Sequence, residues 1–340
     1  MVALNIEYAE FYTNDKDSAI DYFVQLLGFS PVAESVPTGT GGPASVALRC
    51  GAVHLLVTTG PGTHEFLTAH GDGIADIAFT CDDVEATFNA AVAAGARPEE
   101  PGVVRGFGGV RHSLLPDRRG SGVALPADRS WSPVPAMPAL AGGHIDALDH
   151  VAVCVEPGTL EAYADFYAAG FGLTRYGGEY VDYGDHAMDS IVVRSSTGDI
   201  TFTLVASDPA KGGGQLNAFL DRNGGPGVQH LAFGVDEIVS AVEEFRRRGL
   251  EFLHTPDSYY DLLAGRLSGL HDEIAGLRSA GVLADRDEWG YLFQLFTRSP
   301  YERNTLFYEL IQRRGAHGFG SANIRALYEA VDRAERLAAE

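Results

Sequence analysis

The chain has 340 residues, of which 46 are Asp or Glu and 25 are Lys or Arg, for a formal net charge of -21. That length supports two domains and a large core, and 45% apolar with 21% charged residues is ordinary for a globular protein. So acidic a chain is a poor partner for nucleic acid or an anionic membrane, and an anionic substrate would need a local positive charge such as a metal ion.

The opening residues, MVALNIEYAEFY, lack a basic segment followed by an apolar one, so no signal peptide is expected. No apolar run approaches the length of a membrane span. Cys50, Cys81 and Cys154 are widely spaced, odd in number and without zinc spacing, which predicts a cytoplasmic, reduced protein. From Asn5, NIEYAEFYTNDKDSAIDYFVQLLGFSPV predicts strand, turn, helix and strand, and the alternating ASVALRC and VHLLVTT add two more strands. From His64, HEFLTAHGDGIADIAFTCDDVEATFNAAVAAGARP predicts a short helix, a Gly-rich turn, a strand and an amphipathic helix with an acidic start and a Gly stop.

Residues 121–143 belong to a stretch rich in Pro and Gly without periodicity, read as a linker between an N-terminal domain (1–120) and a C-terminal domain (144–340). Beyond it, LDHVAVCVEPGTLEAYADFYAAGFGLTRY repeats the first unit, SIVVRSS and ITFTLVA supply strands, and NAFLDRNGGPGVQHLAFGVDEIVSAVEEFRRRGLEF repeats the second. The chain therefore reads as an α+β protein of four βαβββ units in two pairs.

Aligning the four units places Glu7, Asp76, His150 and His230 at one position, each followed two residues later by Ala. Strand side chains alternate faces, so His230 and Ala232 lie opposite Leu231, Phe233 and Val235. Likewise His150, Ala152 and Cys154 lie opposite Val151, Val153 and Val155. The branched faces suit packing against helices, and the faces with small residues leave space beside two histidines. In NTLFYELIQRR, Phe307, Glu309 and Ile311 share a face, and a carboxylate there is either a third ligand or an ion-pair partner of Arg303 or Arg313. Two His and a carboxylate form the facial triad of non-haem Fe(II) oxygenases. His230 lies 80 residues after His150, and Glu309 lies 79 after His230. In the N-terminal pair, GGVRHSLLP offers no clear carboxylate, so that half is expected to be metal-free. His54, His64, His70, His112, His144, His186, His254, His271 and His317 have no repeat-matched partner and read as surface or structural residues.

The paired units resemble the vicinal oxygen chelate superfamily, which implies two domains, each a half-open β-barrel of two βαβββ modules with outer helices. Across the C-terminal half, DHVAV, GGPGVQHLAF, TPDSYYDLL, LADRDEWGYLFQLFT and LFYELIQRRGAHGFGSANIRALYEAV follow one another in an order that resembles the 4-hydroxyphenylpyruvate dioxygenase family. The resemblance implies Fe(II) at His150, His230 and Glu309, with 4-hydroxyphenylpyruvate and O2 as reactants and possible homo-oligomers. It implies a substrate pocket with Ser190, Gln215, Gln294, Phe319 and Asn323. The last helix, with Ile324, Leu327, Tyr328 and Val331 on one face, would be a lid that excludes water. Gln229 matches a pocket position but would point away from His230 on a regular strand. Homogentisate-forming members usually carry Pro and Asn where this chain has Thr203 and Val205, and an aromatic where it has Ile324. These departures favour benzylic over ring hydroxylation and hence 4-hydroxymandelate, used in antibiotic biosynthesis for 4-hydroxyphenylglycine. Alternatives are homogentisate formation, an extradiol ring-cleaving dioxygenase, which lacks the IQRRGAHGFGSANI tail, or a metal-free binding protein of the same superfamily.

Overall fold

A computed structural model describes residues 2–36, 42–117, 123–135, 144–212 and 214–325. The strands of the N-terminal half are β1 (Ala3–Tyr12), β2 (Ser30–Val36), β3 (Ala44–Cys50), β4 (Val53–Thr59), β5 (Gly73–Cys81), β6 (Arg97–Glu100), β7 (Val103–Arg105), β8 (Arg111–Pro116) and β9 (Ser130–Pro133). Those of the C-terminal half are β10 (Ile145–Cys154), β11 (Thr174–Gly177), β12 (Tyr180–Tyr183), β13 (His186–Arg194), β14 (Thr201–Ser207), β15 (Gly227–Val235), β16 (Leu283–Arg286), β17 (Tyr291–Phe296) and β18 (Phe307–Arg314). The helices are α1 (Lys16–Asp21), α2 (His64–His70), α3 (Val84–Ala93), α4 (Leu160–Phe171), α5 (Gly214–Asn223), α6 (Ile238–Arg247), α7 (Asp257–Arg266) and α8 (Ile274–Ala280). No helix among the described residues is long and apolar enough to cross a membrane.

Among the described residues each half forms one nine-stranded sheet. At the centre of the first, β1 pairs antiparallel with β5, while β4 and β8 join them as parallel neighbours. At the centre of the second, β10 pairs antiparallel with β15, and β14 and β18 join in the same way. The first two modules are a strand, a helix and a three-stranded return, as the repeats predict; the third adds β12 to its return, and the fourth inserts α7 and α8 before it. Asp15 and Asp83 cap the first turns of α1 and α3 by accepting backbone N–H groups. The branched faces fall as expected: Val151, Val153, Val155, Leu231, Phe233 and Val235 all enter one apolar core that runs through both halves. Gly170 lets α4 approach α3, since a Cβ there would lie 3.0 Å from the Ala91 Cα. Arg303 also ties the halves together, donating to the carbonyls of Thr68 and Ala69 at the end of α2.

Two features correct the sequence reading. The stretch read as a linker is partly built into the N-terminal sheet: Ser130–Pro133 pairs with β2 as an edge strand. Just before it, Leu125 packs with Tyr8, Leu56 and Ala78 in the hollow of the sheet, and Arg129 is buried there against Glu10. Four residues of strand are too short for a periodic signal, so composition alone misled.

The second correction is a slip of one residue in the repeat alignment. In the C-terminal half His150 pairs with Ala232, and in the N-terminal half Tyr8 pairs with Ala78. Tyr8, not Glu7, therefore stands at the place of His150. Both β1 and β10 carry a β-bulge at this point, occupied by Glu7 and Asp149 respectively. An alignment on the alanines confuses the bulged residue with its neighbour.

Candidate metal centre

Three adjacent strands bring the candidate ligands together. His150 on β10 and His230 on β15 come from the central antiparallel pair, and Ala232 of β15 lies beside Glu309 of β18. Glu309 Oε2 lies 3.4 Å from His150 Nε2 and 3.1 Å from His230 Nε2, and the two Nε2 atoms are 3.4 Å apart. Three donors at such separations fit cis positions on one ion, which are about 3 Å apart for bonds of roughly 2.1 Å. They form the metal-capable group among the described residues. Ala232 is fully buried and packs with Leu292, Ile311 and Ala316 rather than lining open space beside the histidines. Neither candidate ion-pair partner holds Glu309: Arg303 binds helix carbonyls and Arg313 binds Asp149.

Each imidazole is oriented from behind, so that Nε2 faces the centre. His150 Nδ1 lies 2.8 Å from Asp149 Oδ1, and His230 Nδ1 lies 3.2 Å from Gln229 Oε1. Phe319 meets the His150 ring edge-on at 5.2 Å, and Phe307 stacks on the His230 ring at 5.0 Å. Burial opposes charge on His150, but its bonds to Asp149 and Glu309 outweigh that and raise its pKa to about 9. Burial lowers the pKa of His230 despite Glu309. Burial also works against the Glu309 carboxylate, yet the two histidines hold its pKa below the usual value.

The triad lies on a cavity of about 440 Å³ that is mostly apolar. Of the expected pocket residues, Ser190, Thr203, Gln215, Gln294, Phe319, Asn323 and Ile324 line it. Val205 does not: it shares a face of β14 with Thr203 but packs with Cys154, Leu216 and Phe219. Gln229 does line the cavity, contrary to the parity of a regular strand. The register of β15 against β10 jumps there, with Ala152 opposite His230 and Val153 opposite Val228. Gln229 is thus the extra residue of a bulge, which turns its side chain to the His230 side. Phe296 and Phe307 complete the wall. Both stand two residues from a pocket residue on the same strand, Gln294 and Glu309, so alternation could have found them.

Asn323 is fully buried and held on both sides. Its Nδ2 donates to Gln294 Oε1 at 3.1 Å, and its Oδ1 accepts from the Tyr259 hydroxyl at 2.8 Å. Gly320, at φ +80°, brings the preceding loop so close that a Cβ would lie 1.8 Å from Gln294 Oε1. These contacts dock the first turn of the last helix, residues 321–325, over the cavity. Leu327, Tyr328 and Val331 of the expected lid face lie outside the described residues.

Residues 5–121 and 147–295 match the model of the Glyoxalase/Bleomycin resistance protein/Dioxygenase superfamily. The chain is 30% identical to a 4-hydroxyphenylpyruvate dioxygenase of Aspergillus fumigatus, over 97% of this chain and 92% of the relative. It is also 30% identical to a 4-hydroxyphenylpyruvate dioxygenase of Danio rerio, over 97% of this chain and 90% of the relative. Among solved structures it is similar to a triple mutant of 4-hydroxymandelate synthase from Streptomyces coelicolor, with 47% identity, a TM-score of 0.89, and coverage of 98% of this chain and 100% of that one. The paired modules, the two-His-one-carboxylate centre and these matches agree, and the chain belongs to the 4-hydroxyphenylpyruvate dioxygenase family of non-haem Fe(II) dioxygenases, within the Glyoxalase/Bleomycin resistance protein/Dioxygenase superfamily.

Proposed function

We propose that this enzyme converts 4-hydroxyphenylpyruvate and O2 into 4-hydroxymandelate and CO2. One oxygen atom enters the new carboxylate and the other the benzylic carbon, so the equation balances without a further reductant or a separate 2-oxo acid. The observation that carries the product is the 47% identity over 98% of the chain to a 4-hydroxymandelate synthase, against about 30% to the 4-hydroxyphenylpyruvate dioxygenases. Bound at His150, His230 and Glu309, Fe(II) would supply the oxygen chemistry and the positive charge that an acidic protein needs to hold a 2-oxo acid.

The protein's part is placement and exclusion of water. The three ligands come from adjacent strands and leave the cavity side of the centre open. Phe296, Phe307 and Phe319 give an aromatic substrate apolar surfaces beside the metal. The amide of Gln215 is available along the wall, whereas Gln229 is engaged with His230 and Gln294 with Asn323. The Ser190 hydroxyl is committed to its own sheet, bonded to the backbone of Glu179. Which carbon is hydroxylated depends on the angle at which these walls hold the ring, and Thr203 and Ile324 are the lining residues at which the chain departs from homogentisate-forming members. Family context supports a role in supplying 4-hydroxyphenylglycine for a peptide antibiotic. A gene placed among those of primary tyrosine degradation would count against that role.

The deciding experiment loads the protein with Fe(II) anaerobically, adds 4-hydroxyphenylpyruvate and then oxygen, and resolves the products by chromatography. 4-Hydroxymandelate is expected. Homogentisate as the main product would overturn the product and leave the family intact. Oxygen uptake without either would overturn the substrate.

A further inference from the structure

Arg313 is the last link of a closed ring of contacts around His150. Its guanidinium forks onto Asp149, Nε to Oδ2 at 2.7 Å and Nη2 to Oδ1 at 2.8 Å. Asp149 Oδ1 in turn holds His150 Nδ1. The remaining nitrogen, Nη1, donates to the Gly318 carbonyl at 2.6 Å and lies 3.3 Å from that of Ala316. The same guanidinium lies over the Phe319 ring, 5.0 Å from its centroid, and Phe319 closes the ring of contacts edge-on against His150. Ala316, Gly318 and Phe319 belong to the loop that leads into residues 321–325, where Ser321, Asn323 and Ile324 line the cavity. One planar group therefore holds the support of a metal ligand with two of its nitrogens and the approach to the cavity cover with the third.

Asp149 is available for this because it is the bulged residue of β10. In a regular strand it would face opposite to His150, and the bulge turns it alongside. The fork also needs arginine. A lysine could neutralise Asp149 at one point but could not bind both its oxygens and a carbonyl beyond.

We propose that Arg313 is a positioning residue that couples the loop closing the cavity to the metal centre. It acts through Asp149 on one side and the carbonyls of Ala316 and Gly318 on the other. Closing the loop over the cavity sets the orientation of the His150 imidazole, and loading the centre in turn holds the loop down. The coupling is independent of which product the enzyme forms and requires only that the triad binds a metal.

The test uses the full chain without substrate. Anaerobic Fe(II) binding is measured by competition with a chromophoric chelator, and backbone hydrogen exchange is followed at residues 316–324 with and without Fe(II). In the unmodified protein Fe(II) is expected to slow exchange in that segment. Arg313→Lys, which keeps the charge, is expected to lower Fe(II) affinity about 10- to 100-fold and to abolish the slowing. Arg313→Met is expected to do the same if it folds, and Arg314→Lys, altering a partly exposed ion pair with Glu273, should change neither readout. Unaltered affinity in Arg313→Lys, or exchange at 316–324 that ignores Fe(II) in the unmodified protein, would overturn the proposal alone. Failure of the unmodified protein to bind Fe(II) would overturn the metal centre and the proposal together.

Discussion

In the N-terminal sheet, strand pairing places Tyr8, Asp76 and Ser113 where the C-terminal sheet places His150, His230 and Glu309. The backbones are equivalent down to the bulges, yet the chemistry is opposite. Ser113 binds Asp76 twice, through its N–H at 3.0 Å and its hydroxyl at 2.5 Å. Burial pushes the Tyr8 phenol well above its ordinary pKa, so it stays protonated and is a poor metal donor. Arg129 fills the hollow with its own positive charge, 2.7 Å from Glu10, and Arg111 lies 3.9 Å from Asp76. In the C-terminal half the hollow is open and lined by the triad. The half-barrel thus supplies a place where three strands converge, and side chains alone decide whether the chain itself or a metal occupies it.

The largest effect should come from removing a ligand on the open side. His230→Ala is expected to bring bound iron and turnover down to background while the chain stays folded. Metal analysis alongside circular dichroism checks this, and activity resembling the unmodified enzyme would sink the triad. On the filled side the corresponding damage is to stability. Arg129→Met takes the nearer cation from Glu10, only 1% exposed, and leaves it Arg111 at 3.7 Å and the Thr58 hydroxyl, which costs about 3 kcal/mol. Denaturant unfolding should show that loss, and pairing the change with Glu10→Gln should recover most of it. Iron binding by whatever folded protein remains should be unchanged.

A third difference concerns protonation. His112 is wholly buried, its Nε2 accepting from the Tyr167 hydroxyl of α4 and its Nδ1 donating to the Ile77 carbonyl. It therefore joins the two halves as a neutral imidazole, and burial lowers its pKa to about 4 despite the bond to Ile77. Because the folded value lies below the ordinary 6.5, the stability it contributes is present in full above pH 6.5. It is lost as pH falls through 4, by about 3 kcal/mol. His112→Gln should flatten that part of the stability profile measured by unfolding between pH 7 and pH 4.

How much of this the sequence disclosed depends on the bulges. His150, His230 and Glu309 were legible because repeat spacing and strand parity both survive in the central strands. Parity failed at Gln229, where one inserted residue reverses the facing, and the match of Glu7 to His150 failed because it rested on Ala9, which stands where β10 has Val151. Val205 was placed on the substrate wall by resemblance, but it is packed with Cys154, Leu216 and Phe219 and does not line the cavity. The N-terminal plug was illegible for another reason. Arg129 finds Glu10 at a separation of 119 residues, and nothing in a Pro- and Gly-rich stretch announces such a partner.

The smallest effect comes from one pair of equivalent strand positions. Leu56 pairs with Glu10 in the filled half, and Thr203 pairs with Ala152 in the open half. Leu56 packs in the hollow with Tyr8, Ala47 and Ala78. Thr203 is 7% exposed on the cavity wall, and its hydroxyl has no partner within the protein. A buried hydroxyl without a partner is a cost to the fold, so Thr203→Val should raise stability by about 1 kcal/mol in the substrate-free protein. If the open half keeps this hydroxyl for its ligand, the gain should shrink in Fe(II)-loaded protein saturated anaerobically with 4-hydroxyphenylpyruvate, because the substrate then stabilises the threonine form more than the valine form. Thermal unfolding of both proteins, with and without substrate, separates the two contributions. A gain of equal size in both states would show that the hydroxyl does not serve the substrate, and the difference between the halves at this position would then be one of packing alone.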